Sequence, residues 1–190
     1  AAFSEEIRTN LAADGVKIYP YEDVYSYVQT VAEDKKILLS KANVNSRLVS
    51  NIPCNVTIVD EPNLTLLPKA VKNQTEMDNE RTAHIKDGVA VTKFIRWMKT
   101  NVAKERITEL SAAEKLYQFR SEQEHFLGDS FDPIIAYGKH AAIVHYSATE
   151  ETDIPLEARG MVLADTGGHY LEGTTDITRT IVLGTVTEKE

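Results

Sequence analysis

Apolar positions along the chain change period twice. In the first third, Asp23 to Glu33 has helical spacing, Lys36 to Ser40 is a short apolar run, Asn45 to Ser50 reads as a turn of helix, and Asn55 to Asp60 alternates as a half-buried strand does. That exchange of strand and helix predicts an α/β layer. Pro53, Pro62 and Pro68 break it, and Glu61 to Pro68 reads as its exit.

From Thr75 to Lys99 the spacing becomes helical, with Ile85, Val89, Phe94 and Met98 as apolar positions and Thr75 as the expected N-cap, followed by Asp78. A second helix is predicted from Thr108 to Phe126, with capping oxygens at its start and Leu116, Phe119 and Phe126 on one face; Gly128 marks its expected end. Four strands follow in the pattern: Asp132–Tyr137, Ala141–Tyr146, Gly160–Asp165 and Asp176–Leu183. Two helices and then four strands predict a helix-backed, largely antiparallel sheet and an α+β class for this part. Phe94 and Trp97, at helical spacing, read as core.

Composition narrows the function. The 190 residues carry 29 acidic and 21 basic side chains, a net charge of −8, which argues against a general nucleic-acid surface because such a surface needs a basic face. No apolar run approaches the roughly 18 residues of a membrane span. A single cysteine, Cys54, cannot form an internal disulfide, so a reducing compartment, the cytoplasm, is expected. Gly-rich phosphate loops, HExxH and the Gly-x-Ser-x-Gly elbow are lacking from the sequence. The chain starts Ala-Ala-Phe and ends Glu-Lys-Glu just past a strand-like run, the look of an excised piece.

The chemistry gathers in the stretch Asp165-Thr166-Gly167-Gly168-His169-Tyr170-Leu171-Glu172-Gly173-Thr174-Thr175-Asp176-Ile177-Thr178-Arg179-Thr180. One acid ends an apolar strand and another opens the next. On one continuous strand a separation of 11 would put them on opposite faces. A turn with an irregularity at Gly173 can return them to one face, where a divalent cation would offset their repulsion. The plainer reading is that both are turn acids.

This stretch, with its Asp-x-Gly-x-x-Tyr and Gly-Thr-Thr-Asp-Ile-Thr-Arg-Thr wording, resembles the metal-binding hairpin of the Xaa-Pro aminopeptidases, within the wider pita-bread family of prolidase, methionine aminopeptidase and creatinase. The likeness extends upstream through Ser130–Ile134, Ala141–Tyr146, Lys72–Glu76 and Ala83–Gly88, and thus covers roughly residues 69–187. It is nearest in wording to the three-domain cytosolic aminopeptidases P. The resemblance implies that residues 1–68 are the C-terminal part of a non-catalytic creatinase-like α/β domain and 69–190 the first half of a pita-bread metallopeptidase domain. It implies Asp165 as a ligand of one metal and Asp176 as a bridge between two. The ions would be manganese, with zinc or cobalt as other members of the set, and they would activate water and polarise the bond before proline. His145 matches the family's active-site histidine, a hydrogen-bond donor or proton relay to substrate. The substrates would be Xaa-Pro peptides.

The family also requires one further His and two Glu, which this sequence does not supply, so the isolated chain is expected to be inactive and to bind manganese weakly. A half domain would leave apolar surface uncovered, and a homodimer is expected. Two other readings stand beside this one: a non-catalytic pita-bread module that binds peptides or proteins, and a prolidase-like or creatinase-like enzyme. Among the remaining candidates, His84 and His125 read as helix-surface or packing residues, and His140 as a loop residue within reach of substrate. Tyr170 reads as packing under the hairpin, Thr178 or Thr180 as supports for the ligands, and Arg179 as an ion-pair partner on the opposite face.

Overall fold

The computed structural model describes residues 3–190, and the chain divides after Val71 into two compact units. In the first, helix α1 (Glu5–Ala13) starts at Ser4, whose Oγ accepts from Ile7 N, and α2 spans Asp23–Gln29. Strands β1 (Lys36–Leu39) and β2 (Thr57–Asp60) pair in parallel with Lys36 opposite Thr57, joined through α3 (Ser46–Ser50), which Asn45 caps. The crossover follows from parallel pairing, which a short turn cannot connect. Leu39, Ile52 and Val56 form the core, with Val28, Ile37 and Val49 packed on it. The expected exit segment instead ends in a helical turn, α4 (Leu66–Ala70). Pro68 lies in its first turn, where the missing N–H breaks no helical bond.

The second unit opens with α5 (Gln74–Asn101), a 28-residue helix. Its cap is Asn73 rather than Thr75: Asn73 Oδ1 accepts from Glu76 N at 2.9 Å, and Glu76 Oε2 accepts from Asn73 N at 2.8 Å. The buried stripe also differs from expectation. It consists of Ala83, Asp87, Ala90, Val91, Phe94 and Met98, whereas Ile85 is 69% exposed and Val89 44% exposed. A buried acid in the stripe shifts the apparent hydrophobic phase.

Helix α6 (Glu109–Ser121) begins as expected, with Thr108 and Ser111 capping each other's backbone N–H. It ends five residues before Phe126. The chain reverses through His125, which has φ +64°, and Phe126 enters strand β3 (Phe126–Asp129). There its ring lies 5.4 Å from that of Tyr117 and 5.5 Å from that of Tyr170. Gly128 sits in this strand beside a bulge, with φ +144°, and does not end the helix.

Strands β4 (Ile134–Tyr137), β5 (Met161–Thr166) and β7 (Ile177–Val182) form an antiparallel sheet in that order, and β6 (Gly168–Tyr170) pairs antiparallel with β3. Val162, Ala164 and Ile181 join Phe94, Met98, Ile107 and Leu116 in the core beneath the helices. Phe94 stacks on Trp97 with ring centroids 6.1 Å apart, in the place expected of them.

The predicted strand Ala141–Tyr146 is absent. Gly138–Ala142 form a 3-10 helix that runs into a turn, leaving Ile143 53% and Val144 85% exposed. Buried Glu109 pulls this segment inward. Its carboxylate accepts from Tyr137 N at 2.8 Å and Tyr146 Oη at 2.9 Å, and His140 Nδ1 lies 2.9 Å from Oε2. A buried carboxylate needs such partners, and satisfying it outweighs strand propensity.

Candidate metal centre

Side chains on β5 alternate between the helices and the opposite face. Val162, Ala164 and Thr166 are buried; Met161, Leu163 and Asp165 are half-buried on the other side. Asp165 lies directly across from Thr178, and Thr178 Oγ1 donates to Asp165 Oδ1 at 2.7 Å. Asp176 precedes Thr178 by two residues and is exposed, while its neighbour Thr175 is buried. Alternation therefore puts Asp176 on Thr178's face and diagonally across from Asp165, where Cα atoms of such pairs stand about 7–8 Å apart.

Chain reversal, not an irregularity at Gly173, produces this shared face. The nine residues between Thr166 and Asp176 leave the sheet to form β6 and return through an isolated bridge of His169 with Thr174. Gly167 permits the departure, since a Cβ there would overlap Thr175 O and Ser130 Oγ. Gly173 lets the returning chain pass under α5, where a Cβ would overlap the Glu80 carboxylate.

Carboxylate oxygens suit a hard divalent cation. Asp165 Oδ2 and the Asp176 carboxylate accept no protein hydrogen bond among the described residues, so the donors fit that chemistry. They are too few to enclose an ion, and no group of three or more His, Cys, Asp or Glu side chains converges among the described residues.

His145 is exposed in the turn after the 3-10 helix, with φ +55°, rather than at a strand end. No hydrogen bond or ion pair joins it to Asp165 or Asp176 among the described residues. Tyr146, the next residue, is 7% exposed, and its ring stacks on His140 with centroids 4.4 Å apart. Burial and the Glu109 carboxylate both raise the Tyr146 pKa, so the phenol stays a donor. His140 is thus a buried structural residue and not a loop residue free to meet substrate.

The other candidates divide. Tyr170 packs under the hairpin at 4% exposure and donates to Asp87 Oδ1 at 3.2 Å; burial beside that carboxylate pushes its pKa well up. His84 is a helix-surface residue beside Glu80. Arg179 donates to Thr178 O and has no carboxylate partner among the described residues, contrary to the expected ion pair. His125, outside any helix, places Nδ1 2.7 Å from Glu172 Oε1, which also accepts from Lys86 Nζ at 2.6 Å.

Those contacts hold the Glu172 carboxyl down to about 2, chiefly through the Lys86 hydrogen bond and next through His125. A pKa lowered on folding contributes stability that is full above the unfolded value of about 4.3 and is lost as pH falls toward 2. Glu172→Gln is therefore expected to lower the melting midpoint at pH 7 and to close most of that gap at pH 3. An equal gap at both pH values would refute the assignment.

Sequence reading missed the buried polar group between helices and hairpin: Asp87 and Arg120 at 0% exposure, Thr166 and Thr175 at 1%. Arg120 Nε donates to Asp87 Oδ1 at 2.7 Å, and Nη2 to Asp87 Oδ2 at 3.2 Å and Thr166 Oγ1 at 3.0 Å. Asp129 lies 3.4 Å from Arg120 Nη1, and burial raises its pKa despite that cation. A signal was available, because Ala83, Asp87, Ala90, Val91 and Phe94 share a helical face and the acid sits among residues that must be buried.

Two family profiles cover the chain: metallopeptidase family M24 matches residues 78–190, and the creatinase/prolidase N-terminal domain matches residues 1–76. A probable Xaa-Pro aminopeptidase P of Arthroderma gypseum is 36% identical over 97% of this chain and 31% of its own length. Xaa-Pro aminopeptidase 2 of Sus scrofa is 36% identical over 90% of this chain and 25% of its own length. Among solved structures, the X-prolyl aminopeptidase of Caenorhabditis elegans, described as a cytosolic enzyme with a di-nuclear active site, superposes with a TM-score of 0.88 at 31% identity. That match covers 98% of this chain and 31% of the other. Prolidase from Pyrococcus furiosus, 22% identical with a TM-score of 0.68 over 92% of this chain and 48% of its own, shares the fold. The chain spans between 20% and 33% of the length of curated relatives such as these. Its α+β architecture is a creatinase-type α/β segment followed by the helix-backed sheet of a pita-bread domain, and the chain belongs to metallopeptidase family M24.

Proposed function

We propose that this chain is part of a dinuclear-metal aminopeptidase that removes the N-terminal residue from peptides with proline in second position. The observation that carries the reading is the pair Asp165 and Asp176, set diagonally on one open face of the β5–β7 hairpin, with Asp165 Oδ2 and both Asp176 oxygens free of protein donors among the described residues. Membership of a metallopeptidase family and the likeness to Xaa-Pro aminopeptidases support it. On this reading residues 1–68 are the C-terminal part of the creatinase-like domain and 69–190 the first half of the catalytic domain.

Asp165 would hold one ion and Asp176 both, with manganese favoured by hard oxygen donors and zinc or cobalt as the alternatives. When bound, the ions supply Lewis acidity toward the scissile carbonyl and lower the pKa of water. Thr178 fixes one Asp165 oxygen and leaves the other for a cation. His145, exposed at the end of its turn, would donate a hydrogen bond to the substrate or carry its proton.

We also place the protein in the cytoplasm, as the C. elegans neighbour is described. No helix among the described residues is long and apolar enough to cross a membrane. Association into homodimers belongs to the same reading: it would cover the exposed apolar residues of the second unit, such as Leu127 and Val182.

The test is hydrolysis by the native gene product that contains this chain. An Xaa-Pro-Xaa tripeptide should be cleaved before proline, faster than an Xaa-Pro dipeptide, and a chelator should stop the reaction. Dipeptide preference would favour prolidase, and loss-free activity in chelator would refute the metal reading. The 190 residues alone should bind manganese weakly and cleave neither peptide; tight stoichiometric binding in a calorimetric titration would contradict that.

A further inference from the structure

Each candidate metal-binding acid has a buried threonine as its chain neighbour on the hairpin. Thr166 follows Asp165 and Thr175 precedes Asp176, and both point to the helix side of the sheet at 1% exposure. The two threonines do not bond to each other. They are joined by a continuous polar path through two helices: Thr166 Oγ1 accepts from Arg120 Nη2 at 3.0 Å, Arg120 is paired with Asp87 through Nε and Nη2, and Thr175 Oγ1 donates to Asp87 Oδ2. Thr175 Oγ1 also accepts from Gly168 N at 2.9 Å, which holds the chain just beyond Thr166. Ser130 closes the same bracket from β3's end, its N–H donating to Gly167 O at 3.1 Å and its Oγ to Thr175 O at 2.9 Å.

We propose that Asp87, Arg120, Thr166 and Thr175 are positioning residues that set the separation and orientation of Asp165 and Asp176 from the reverse face of the hairpin. The inference rests on the metal reading given above and adds to it which buried groups tune the site. The physical ground is that neighbouring side chains of extended backbone point to opposite sides, so fixing Thr166 at the end of β5 and Thr175 ahead of β7 fixes the direction of the adjacent side chains. The excursion between the two acids makes such a bracket necessary. Gly167 and Asp176 lie outside β5 and β7, so Asp176 has no strand ladder of its own to hold it. A guanidinium bound to a carboxylate through two nitrogens has a fixed fork geometry, which makes it a rigid spacer rather than a flexible one.

The experiment is a calorimetric manganese titration of the metal-free native gene product and of four variants, with melting of each metal-free form. Thr175→Val and Thr166→Val remove the hydroxyls at nearly constant volume and are expected to weaken manganese binding about 10–100-fold, the usual range for groups that orient metal ligands. Thr175→Ser, which keeps the hydroxyl, should bind as wild type does. Met98→Ala, a core change on α5 three helical turns beyond Asp87, supplies the comparison for stability alone and should lose melting temperature with manganese affinity unchanged. Wild-type affinity in both valine variants would overturn the bracket and leave the metal reading intact, as would an equal loss of affinity in Met98→Ala. Failure of the wild-type gene product to bind manganese, zinc or cobalt would overturn the metal reading and the bracket with it.

Discussion

Arg120→Met is expected to destabilise the second unit by about 3–5 kcal/mol, the cost of removing one partner from a buried ion pair. Urea denaturation would measure it. Arg120 and Asp87 are fully buried, and the guanidinium also serves Thr166 and Asp129. Methionine fills much of the same volume but leaves the Asp87 carboxylate facing only Tyr170 and Thr175 as donors, in an interior that disfavours an unpaired charge. Adding Asp87→Leu to Arg120→Met should restore part of the loss, because an apolar pair carries no desolvation penalty. Recovery stays incomplete, since Thr166, Thr175 and Asp129 lose their partner. A midpoint for Arg120→Met within error of wild type would show that the pair is dispensable.

In the native gene product, Asp176→Asn should lower peptidase activity about a thousand-fold or more, the equivalent of losing several kcal/mol of carbonyl polarisation. Metal counting by mass spectrometry separates the roles of the two acids. If Asp176 serves both ions and Asp165 one, then Asp176→Asn should empty the site and Asp165→Asn should leave one ion per chain. The reverse pattern would exchange their roles, and full occupancy in both variants would remove them from the ligand set. Asparagine keeps the volume of each side chain, at a half-buried position for Asp165 and an exposed one for Asp176, and unchanged melting of the metal-free variants would separate ligand loss from a fold change.

Local features were legible where the deciding interaction is near in sequence. Thr108 reads as a cap because its partner, Ser111, is three residues on. Strands β4, β5 and β7 read from the strand period that follows Gly128, β1 from a short apolar run and β2 from alternation. Prediction failed where a distant partner intervened. Ala141–Tyr146 has the composition of a strand, but Glu109, more than 30 residues earlier in the chain, gathers Tyr137, His140 and Tyr146 around one carboxylate. Ile85 and Val89 look like a helix's inner face until Asp87 is seen to take that face with Arg120.

Taken alone, the order of residues decided the family, the α+β class, and which acids to examine, because motif wording and hydrophobic period are written along the chain. It could not decide that Asp165 and Asp176 share a face. Their separation of 11 is compatible with either side of a sheet, and only the pairing of Asp165 with Thr178 resolves it. Nor could it reveal the path from Thr166 through Arg120 and Asp87 to Thr175, whose members lie up to 88 residues apart. Such contacts arise from packing two helices on a hairpin, and the need to satisfy a charge once it is buried belongs to the folded state alone.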